Sequence, residues 1–289
     1  MEIEFFTHPN KADDCDFFSE AENISANILT AEMQAKKQSH KKMGIKELKG
    51  LTTKWHAYWI GKFYKWFIDL GIKEENLRIR EHRKEELAHY AKACFDIEYN
   101  FPFGWKEIHG NADRKQFDLE QHQKYSKVDL NYFDEESKEK VMPYVASEPS
   151  QGVERAFLAF MFDAYEYDAK RGNVVLRLHP KLAPVKVGVF SLVNKLDKEA
   201  RVVYDSLKTE FSSFFDRSGS IGRRYARADE IGIPYCITVD FDTLKDKSVT
   251  IRNRNDTKQI RVKIENLKDT INGLLNQKIE FEKAGKVIS

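Results

Sequence analysis

The chain has 289 residues, of which 41% are hydrophobic and 33% charged, with a formal net charge of +2. This length holds two domains and a sizeable core, and the composition is that of a highly charged globular protein. There is no eighteen-residue apolar run, which excludes a membrane-spanning helix. The three scattered cysteines, Cys15, Cys94 and Cys236, exclude a disulfide scaffold and read as reduced thiols of a cytoplasmic protein.

The first residues, MEIEFFTHPNKADD, have no basic region followed by an apolar run, so no secretory leader is expected. Residues 34–49, QAKKQSHKKMGIKELK, carry six lysines. They read as an exposed helical part of an insertion near residues 20–50, with an RNA contact as one use for the charge. HAYWIGKFYKWFIDLGI is an aromatic helix closed at Gly71, and LRIREH is a strand. CFDIEYNFPFGWKEIHG gives two strands turned at Phe101-Pro102. His82 and His89 in EHRKEELAHY stand seven apart without the H-E-x-x-H order. Cys and His spacing elsewhere offers no zinc site.

Alternation in GWKEIHG sets Trp105, Glu107 and His109 on one face, and Lys106 and Ile108 on the other. Glu107 there suits either a divalent cation or a pairing with Lys or Arg. KVMPYVASEPS is a further strand. AFLAFMFDAY, Ala156–Tyr165, is apolar on every side of a helical wheel and reads as a helix buried all round, entered through Glu154-Arg155.

The composition breaks near residue 170, where Arg171-Gly172 makes a turn and two prolines follow. Beyond it, Val185, Val187 and Val189 share a strand face. A helix (LDKEARVVYDSLKTE), a strand (FSSFFD) and a helix (GSIGRRYARADEIG) come next. Three strands (YCITVDF, SVTIRNR, KQIRVKI) and a closing helix (ENLKDTINGLLNQK) complete an α/β domain with a mixed sheet. From Arg171 onward, 23 Lys and Arg face 15 Asp and Glu, a net of +8, whereas the residues before it carry −6. A basic second domain favours a polyanion partner.

There is no Walker P-loop, no G-x-G-x-x-G and no G-x-S-x-G elbow. The chemistry concentrates instead in EPSQGVERAF. Gly152 allows an unusual backbone conformation or the close approach of a ligand. The helix start behind it, with Arg155, suits a phosphate. Glu148 and Ser150, two apart on one strand face, suit an ammonium group. An internal Arg–Glu pair is the alternative reading of Arg155.

PYVASEPSQGVERAFLAF resembles motif 3 of class II aminoacyl-tRNA synthetases, and among them of glycyl-tRNA synthetases, where it often reads I-E-P-S-x-G-[VL]-[DG]-R. REHRKEELAHYAKACFDIEYNFPFGWKEIHGNADR is similar to the central catalytic sheet of that family. LRLHPKLAPVKVGVFSLV, DRSGSIGRRYARADEIGIPYCITVDFDT and VTIRNRNDTKQIRV are similar to its anticodon-binding domain. The resemblance implies a fold that passes from α+β to α/β. Residues 1–170 would be part of a class II catalytic domain, an antiparallel sheet with helices, and residues 171–289 an α/β anticodon-binding domain with a mixed sheet.

The resemblance also implies ATP-dependent activation of glycine, with ATP and Mg²⁺ as substrate-associated groups and no zinc, followed by transfer to glycine tRNA. It assigns ATP to Glu107, Ile108, Gly152 and Arg155, with Glu107 near Mg²⁺ and Arg155 on the phosphates as the catalytic pair. Glycine falls to Glu2, Glu148, Pro149 and Ser150, and the anticodon to Arg223, Phe241 and Arg254. Glu154 stands where Asp or Gly is more usual.

In the family, motif 1 (the homodimer helix) and motif 2 (with its F-R-x-E arginine) precede the M-E-I-E-F-F segment, which here occupies residues 1–6. The expectation is therefore the C-terminal part of a ligase. It would be inactive without an N-terminal half, and would be a truncated gene product, an internal-start fragment or one subunit of a split enzyme. The alternative is a non-catalytic tRNA- or nucleic-acid-binding protein derived from a synthetase.

Overall fold

The chain divides between Asp163 and Ala164 into two units, Met1–Asp163 and Ala164–Ser289. The computed structural model describes residues 1–50 and 52–288, and the side chains of all of these but 49 and 50. Lys49 of the lysine-rich stretch thus lies outside the described side chains.

The first unit contains β1 (Phe5–Thr7), β2 (Ser25–Leu29), α1 (Ala31–Ala35), β3 (Lys41–Gly44), α2 (Lys54–Asp69), β4 (Leu77–Glu81), β5 (Ala93–Phe101) and β6 (Gly104–Asp113). After them come α3 (Phe117–Ser126), the hairpin of β7 (Tyr132–Asp134) and β8 (Glu139–Val141), β9 (Tyr144–Gln151) and α4 (Val153–Ala164). Seven strands form one sheet in the order β1-β9-β6-β5-β4-β2-β3. Every neighbouring pair is antiparallel except β2 and β4, so the expected antiparallel sheet is present with one parallel pair. The β5–β6 turn follows Phe101-Pro102, as read from the sequence, and closes on Gly104 with φ +97°.

The Thr53 hydroxyl accepts from the His56 N–H to cap α2. Gly71, at φ +100°, ends the helix as expected. Ile60, Tyr64 and Phe67 recur at three- to four-residue spacing and are buried, with α2 packed on β5, β6 and β9. Each such side chain contributes about 1.5–3 kcal/mol relative to exposure. Leu77 and Ile79 of β4 and Phe95 and Ile97 of β5 complete this core.

Three expectations change here. The lysine-rich stretch is not one helix: α1 ends at Ala35, Lys37 sits at φ +54°, Lys41–Gly44 pair with β2 as an edge strand, and a 3-10 turn, Ile45–Gly50, follows. Exposed lysines on an edge oppose strand addition, which accounts for them without a helix. α4 is not buried all round. Ala156, Ala159, Phe160 and Asp163 face inward, whereas Phe157 is 64% exposed, and Leu158 and Phe162 are exposed too, because one packed face hides only a stripe of a helix. Asp163 is fixed by Asn76, Tyr99 and the Lys73 N–H. Finally, a bulge between Ile97 and Glu98 breaks the alternation in β6. Ile108 and His109 are consequently both buried, and His109 does not share the face of Glu107.

The second unit contains β10 (Tyr165–Asp168), β11 (Asn173–Leu176), β12 (Val187–Ser191), α5 (Asp197–Leu207), β13 (Ser213–Asp216), α6 (Ile221–Glu230), β14 (Tyr235–Val239) and α7 (Phe241–Asp246). They are followed by β15 (Ser248–Asn253), β16 (Gln259–Lys263), α8 (Leu267–Leu275) and β17 (Lys286–Val287). β10 and β11 form a hairpin, and β11 packs on α6, so the unit starts before the composition break at 170. Its main sheet has the order β13-β12-β14-β15-β16-β17, parallel across the first three strands and antiparallel beyond, the mixed sheet expected. Val187 and Val189 lie in the core with Ile237, Ile251 and Ile271. Val185 precedes the strand and packs in a second cluster with Phe190 and Ile233.

Candidate active site

In the first unit, one face of the sheet packs on α2, and strand pairing brings the polar side chains together on the other. Arg80 stands opposite Asp96, Glu98 opposite Glu107, Asp96 opposite Gly110, Ala112 opposite Glu148, and Gly110 opposite Ser150. An isolated bridge sets Glu2 opposite Ser150. Residues directly opposed across antiparallel strands share a face. Glu2, Glu148 and Ser150 are therefore on the side that carries Glu107.

Arg155 answers the question its apolar surroundings raise. Its side chain is 62% exposed, and Nη1 lies 3.4 Å from Glu107 Oε2 and donates to the Glu107 carbonyl at 3.3 Å. This is the Arg–Glu pairing weighed from sequence, but it sits at the surface. Both partners remain open to solvent and to a ligand, and an exposed pair of this kind contributes little stability. Gly152 does not adopt a left-handed φ, so the unusual-backbone reading fails for it. A Cβ there would have the Arg155 stem as its nearest neighbour, at 3.5–3.6 Å. Ile108 is buried, so its side chain belongs to the core.

Gly110 is the floor between two acids: a Cβ on it would lie 3.6 Å from Glu107 Oε1 and 3.7 Å from Asp96 Oδ1. Two carboxylates converging over an open strand fit Mg²⁺, which takes one or two carboxylates and keeps waters or substrate phosphates in its other positions.

Glu148 is 8% exposed, and both its oxygens accept from Arg114 Nη1, at 2.7 and 2.8 Å. Arg114 also donates to Asp118 and lies over the Tyr90 ring at 4.0 Å. Glu148 is thus locked in one orientation, with its charge balanced before any ammonium group arrives. Pro149 is buried, and its carbonyl accepts from the Ile3 N–H, tying residues 1–3 to β9.

Sequence reasoning missed Arg78, Asp96, Glu98 and Arg114. Arg78 donates to Glu98 at 2.6 Å and stacks over Trp105 at 4.4 Å. The signal for two of them was present in CFDIEYNF, where Asp96 and Glu98 interrupt an apolar strand at period two and are 7% and 8% exposed.

The second unit offers a separate cleft of about 520 Å³, lined by Leu192, Asn194, Lys195, Gly219, Arg224 and Phe241 among others. From β12 the chain crosses to β13 on one side, then returns to β14 on the other. The cleft residues follow β12, β13 and β14, at the carboxyl ends of the parallel strands where the order reverses, the usual ligand position in such sheets. Phe241 does not continue β14. Asp240 caps α7 in a capping box with Thr243, which turns Phe241 outward, 50% exposed. Phe241 therefore does not join Tyr235, Ile237 and Val239 in the core. Arg223 is exposed in the first turn of α6.

Arg254 is a correction. It is 1% exposed, and its guanidinium donates to the carbonyls of Gly232 and Leu178 and to Asn255 Oδ1. Burial pushes it down to about 10. Held in this way, it is not presented to a base.

Residues 186–274 match the family of anticodon binding domains. The chain is 52% identical over 221 residues to a glycine–tRNA ligase of Ruminiclostridium cellulolyticum, covering 75% of this chain and 48% of that protein. It is 49% identical over 234 residues to one of Caldanaerobacter subterraneus, covering 80% and 50%. The resemblance read from the motifs holds, and the chain spans about half the length of the curated relatives it matches. In fold it is similar to a prolyl-tRNA synthetase from Cryptosporidium parvum, with a TM-score of 0.56 and 18% identity over 81% of this chain and 48% of that one. That likeness shows a class II synthetase fold. Among the described residues, no helix is long and apolar enough to cross a membrane.

Proposed function

We propose that this chain is the C-terminal part of a cytoplasmic glycyl-tRNA synthetase. It would supply the motif 3 side of the ATP site and the glycine pocket, and act together with an N-terminal half that carries motifs 1 and 2. The observation that carries this reading is the surface pair of Arg155 and Glu107, at the start of α4, on the sheet face shared by Glu2, Glu148 and Ser150.

In the first step, a glycine carboxylate oxygen forms a bond to the α-phosphorus of ATP, and the bond to the β,γ-pyrophosphate breaks. Arg155 stabilises the negative charge on the departing phosphates with a fixed positive charge, with no proton transferred. Glu107, with Asp96 beside it, would hold Mg²⁺, which would supply positive charge to the phosphates. Glu148, oriented by Arg114, and Glu2 hold the glycine ammonium group, and Ser150 adds a hydroxyl. Crowding these groups around the α-carbon excludes any side chain larger than hydrogen. In the second step, a 3′-terminal hydroxyl of glycine tRNA takes the glycyl group and AMP leaves. Phe241 and Arg223, at the cleft of the second unit, receive the anticodon, by stacking and by hydrogen bonds to base edges.

The test combines this chain with the N-terminal half of a related glycine–tRNA ligase and measures glycine-dependent ATP–pyrophosphate exchange. The expected outcome is no exchange by the chain alone and exchange in the mixture. Arg155→Ala should lower the latter about 10²-fold, the scale of one lost electrostatic stabiliser. Exchange unchanged by that substitution would return Arg155 to a surface ion pair. A mixture with no exchange that still binds glycine tRNA would favour the accessory-protein reading.

A further inference from the structure

His82 follows β4, Cys94 and Asp96 lie on β5, and their sequence spacing shows no metal motif. Pairing of Glu81 with Phe95 puts His82 just past the end of β4, where its N–H donates to the Cys94 carbonyl at 2.9 Å. Cys94 and Asp96 are two apart on β5 and share a face. One imidazole nitrogen, the Cys94 sulfur and a carboxylate oxygen of Asp96 all lie within 4.8 Å of one another. His82 Nε2 is 2.7 Å from Asp96 Oδ2.

We propose that His82, Cys94 and Asp96 form a binding site for a zinc-class divalent cation, with the fourth coordination position open to solvent. Thiolate and imidazole donors select zinc, or cobalt in its place, over magnesium. Bond lengths of about 2.0–2.3 Å would span this triangle with a small closing movement of the side chains. His82 and Cys94 are only partly buried, so the site is reachable and keeps one side wet.

Arg80 does not block it. Its Nη2 donates to both oxygens of Glu86 at 2.7 Å, which leaves Nη1 at 3.7 Å from Asp96, beyond hydrogen-bond distance. Without metal, Asp96 and Cys94 hold the imidazole protonated, raised to about 10. Loading releases that proton and the Cys94 thiol proton to solvent as the cation binds, as ligand sets of this kind do. The site shares Asp96 with the carboxylate pair proposed for Mg²⁺, but its readouts, cobalt absorption and Cys94 protection, need neither ATP nor tRNA, so its test is independent of the ligase reading.

The full chain, stripped with chelator, is titrated with Co²⁺ and followed by its near-ultraviolet thiolate-to-cobalt charge-transfer absorption. The expected result is one equivalent bound with that band, displaced by Zn²⁺ and not by Mg²⁺. Cys94→Ser should abolish the band, Cys15→Ser should keep it, and His82→Gln should weaken Co²⁺ binding by about 10–100-fold or more, at least the loss typical of an outer-shell partner. Circular dichroism reports whether each variant is folded. Alkylation of the wild-type chain, read by mass spectrometry, provides a measurement without substitution: Zn²⁺ should protect Cys94. The absence of the band from a folded chain, a band that survives Cys94→Ser, or Cys94 alkylated equally fast with and without Zn²⁺ would overturn the proposal.

Discussion

Arg155 of the first unit and three arginines of the second are used in opposite ways. In the first, Arg155 stands at the surface with one weak partner. In the second, Arg224, Arg252 and Arg254 are each at most 6% exposed. Arg252 clasps Asp229 with two bonds of 2.8 and 2.9 Å, and Arg254 ties down two carbonyls from distant segments. Arg155 and Arg254 are the two to which the family resemblance assigns ligand contact. What separates them is the set of acceptors already engaged. An arginine whose donors are taken by backbone and buried carboxylate holds the fold, and one left free in water is available to an anion.

The largest effect that would sharpen this contrast is on stability. Arg252→Ala removes the main partner of a carboxylate that is 1% exposed, and should destabilise the second unit by about 3–5 kcal/mol. Urea unfolding reads this directly, and a loss comparable to that of a surface arginine would break the distinction.

Acid should come next, and should act on the first unit. Burial pushes His56 and His109 down to about 4, from an ordinary 6.5. The unfolded chain therefore takes up protons on these rings first. Their contribution is intact above pH 6.5 and is lost as the pH falls toward 4. His109 packs on the Phe63 ring at 4.4 Å between centroids, so His109→Phe should raise the melting temperature at pH 5 relative to wild type and change it little at pH 8. An equal shift at both pH values would contradict this.

Phe241 tests the cleft. Phe241→Ala should weaken binding of a glycine tRNA anticodon stem-loop by about 1–3 kcal/mol if a base stacks on it, while stability stays within about 0.5 kcal/mol because the ring is half exposed. Arg254→Ala should do the reverse, lowering the melting temperature without changing the affinity of the folded fraction. Titration and thermal melts on the same samples separate the two outcomes. The smallest effect belongs to Gly152→Ala. Its Cβ finds ordinary contact distance and no left-handed backbone, so stability should move by less than about 0.5 kcal/mol. If exchange in the two-half mixture nevertheless falls, the space over Gly152 is needed by the substrate.

Much of this architecture was legible because periodicity and capping are local. The aromatic helix ends at Gly71, the β5–β6 turn follows Phe101-Pro102, and the alternation after residue 185 yields a mixed sheet. What was not legible depended on register or on competition for a face. Nothing between residues 82 and 96 says that a histidine and a cysteine will meet, because antiparallel pairing decides it. The bulge at Ile97/Glu98 moved His109 into the core against a clean alternation. The apolar circumference of α4 suggested full burial, yet only a stripe found a partner. In YCITVDF the alternation was correct up to Val239 and then overridden by Asp240, whose preference for capping a helix turned Phe241 outward.

The two borders of the seven-stranded sheet have different characters. At one, Lys41 and Lys42 are exposed on β3, and a second strand laid against it in register would face like charge. At the other, β1 is hydrogen-bonded among the described residues only to β9. The sheet therefore has a direction: lateral growth is discouraged electrostatically at β3 and left open at β1. Amide hydrogens should follow the same gradient, slowest to exchange with solvent deuterium in β5 and β6, which have partners on both sides, and fastest along the outer rim of β1.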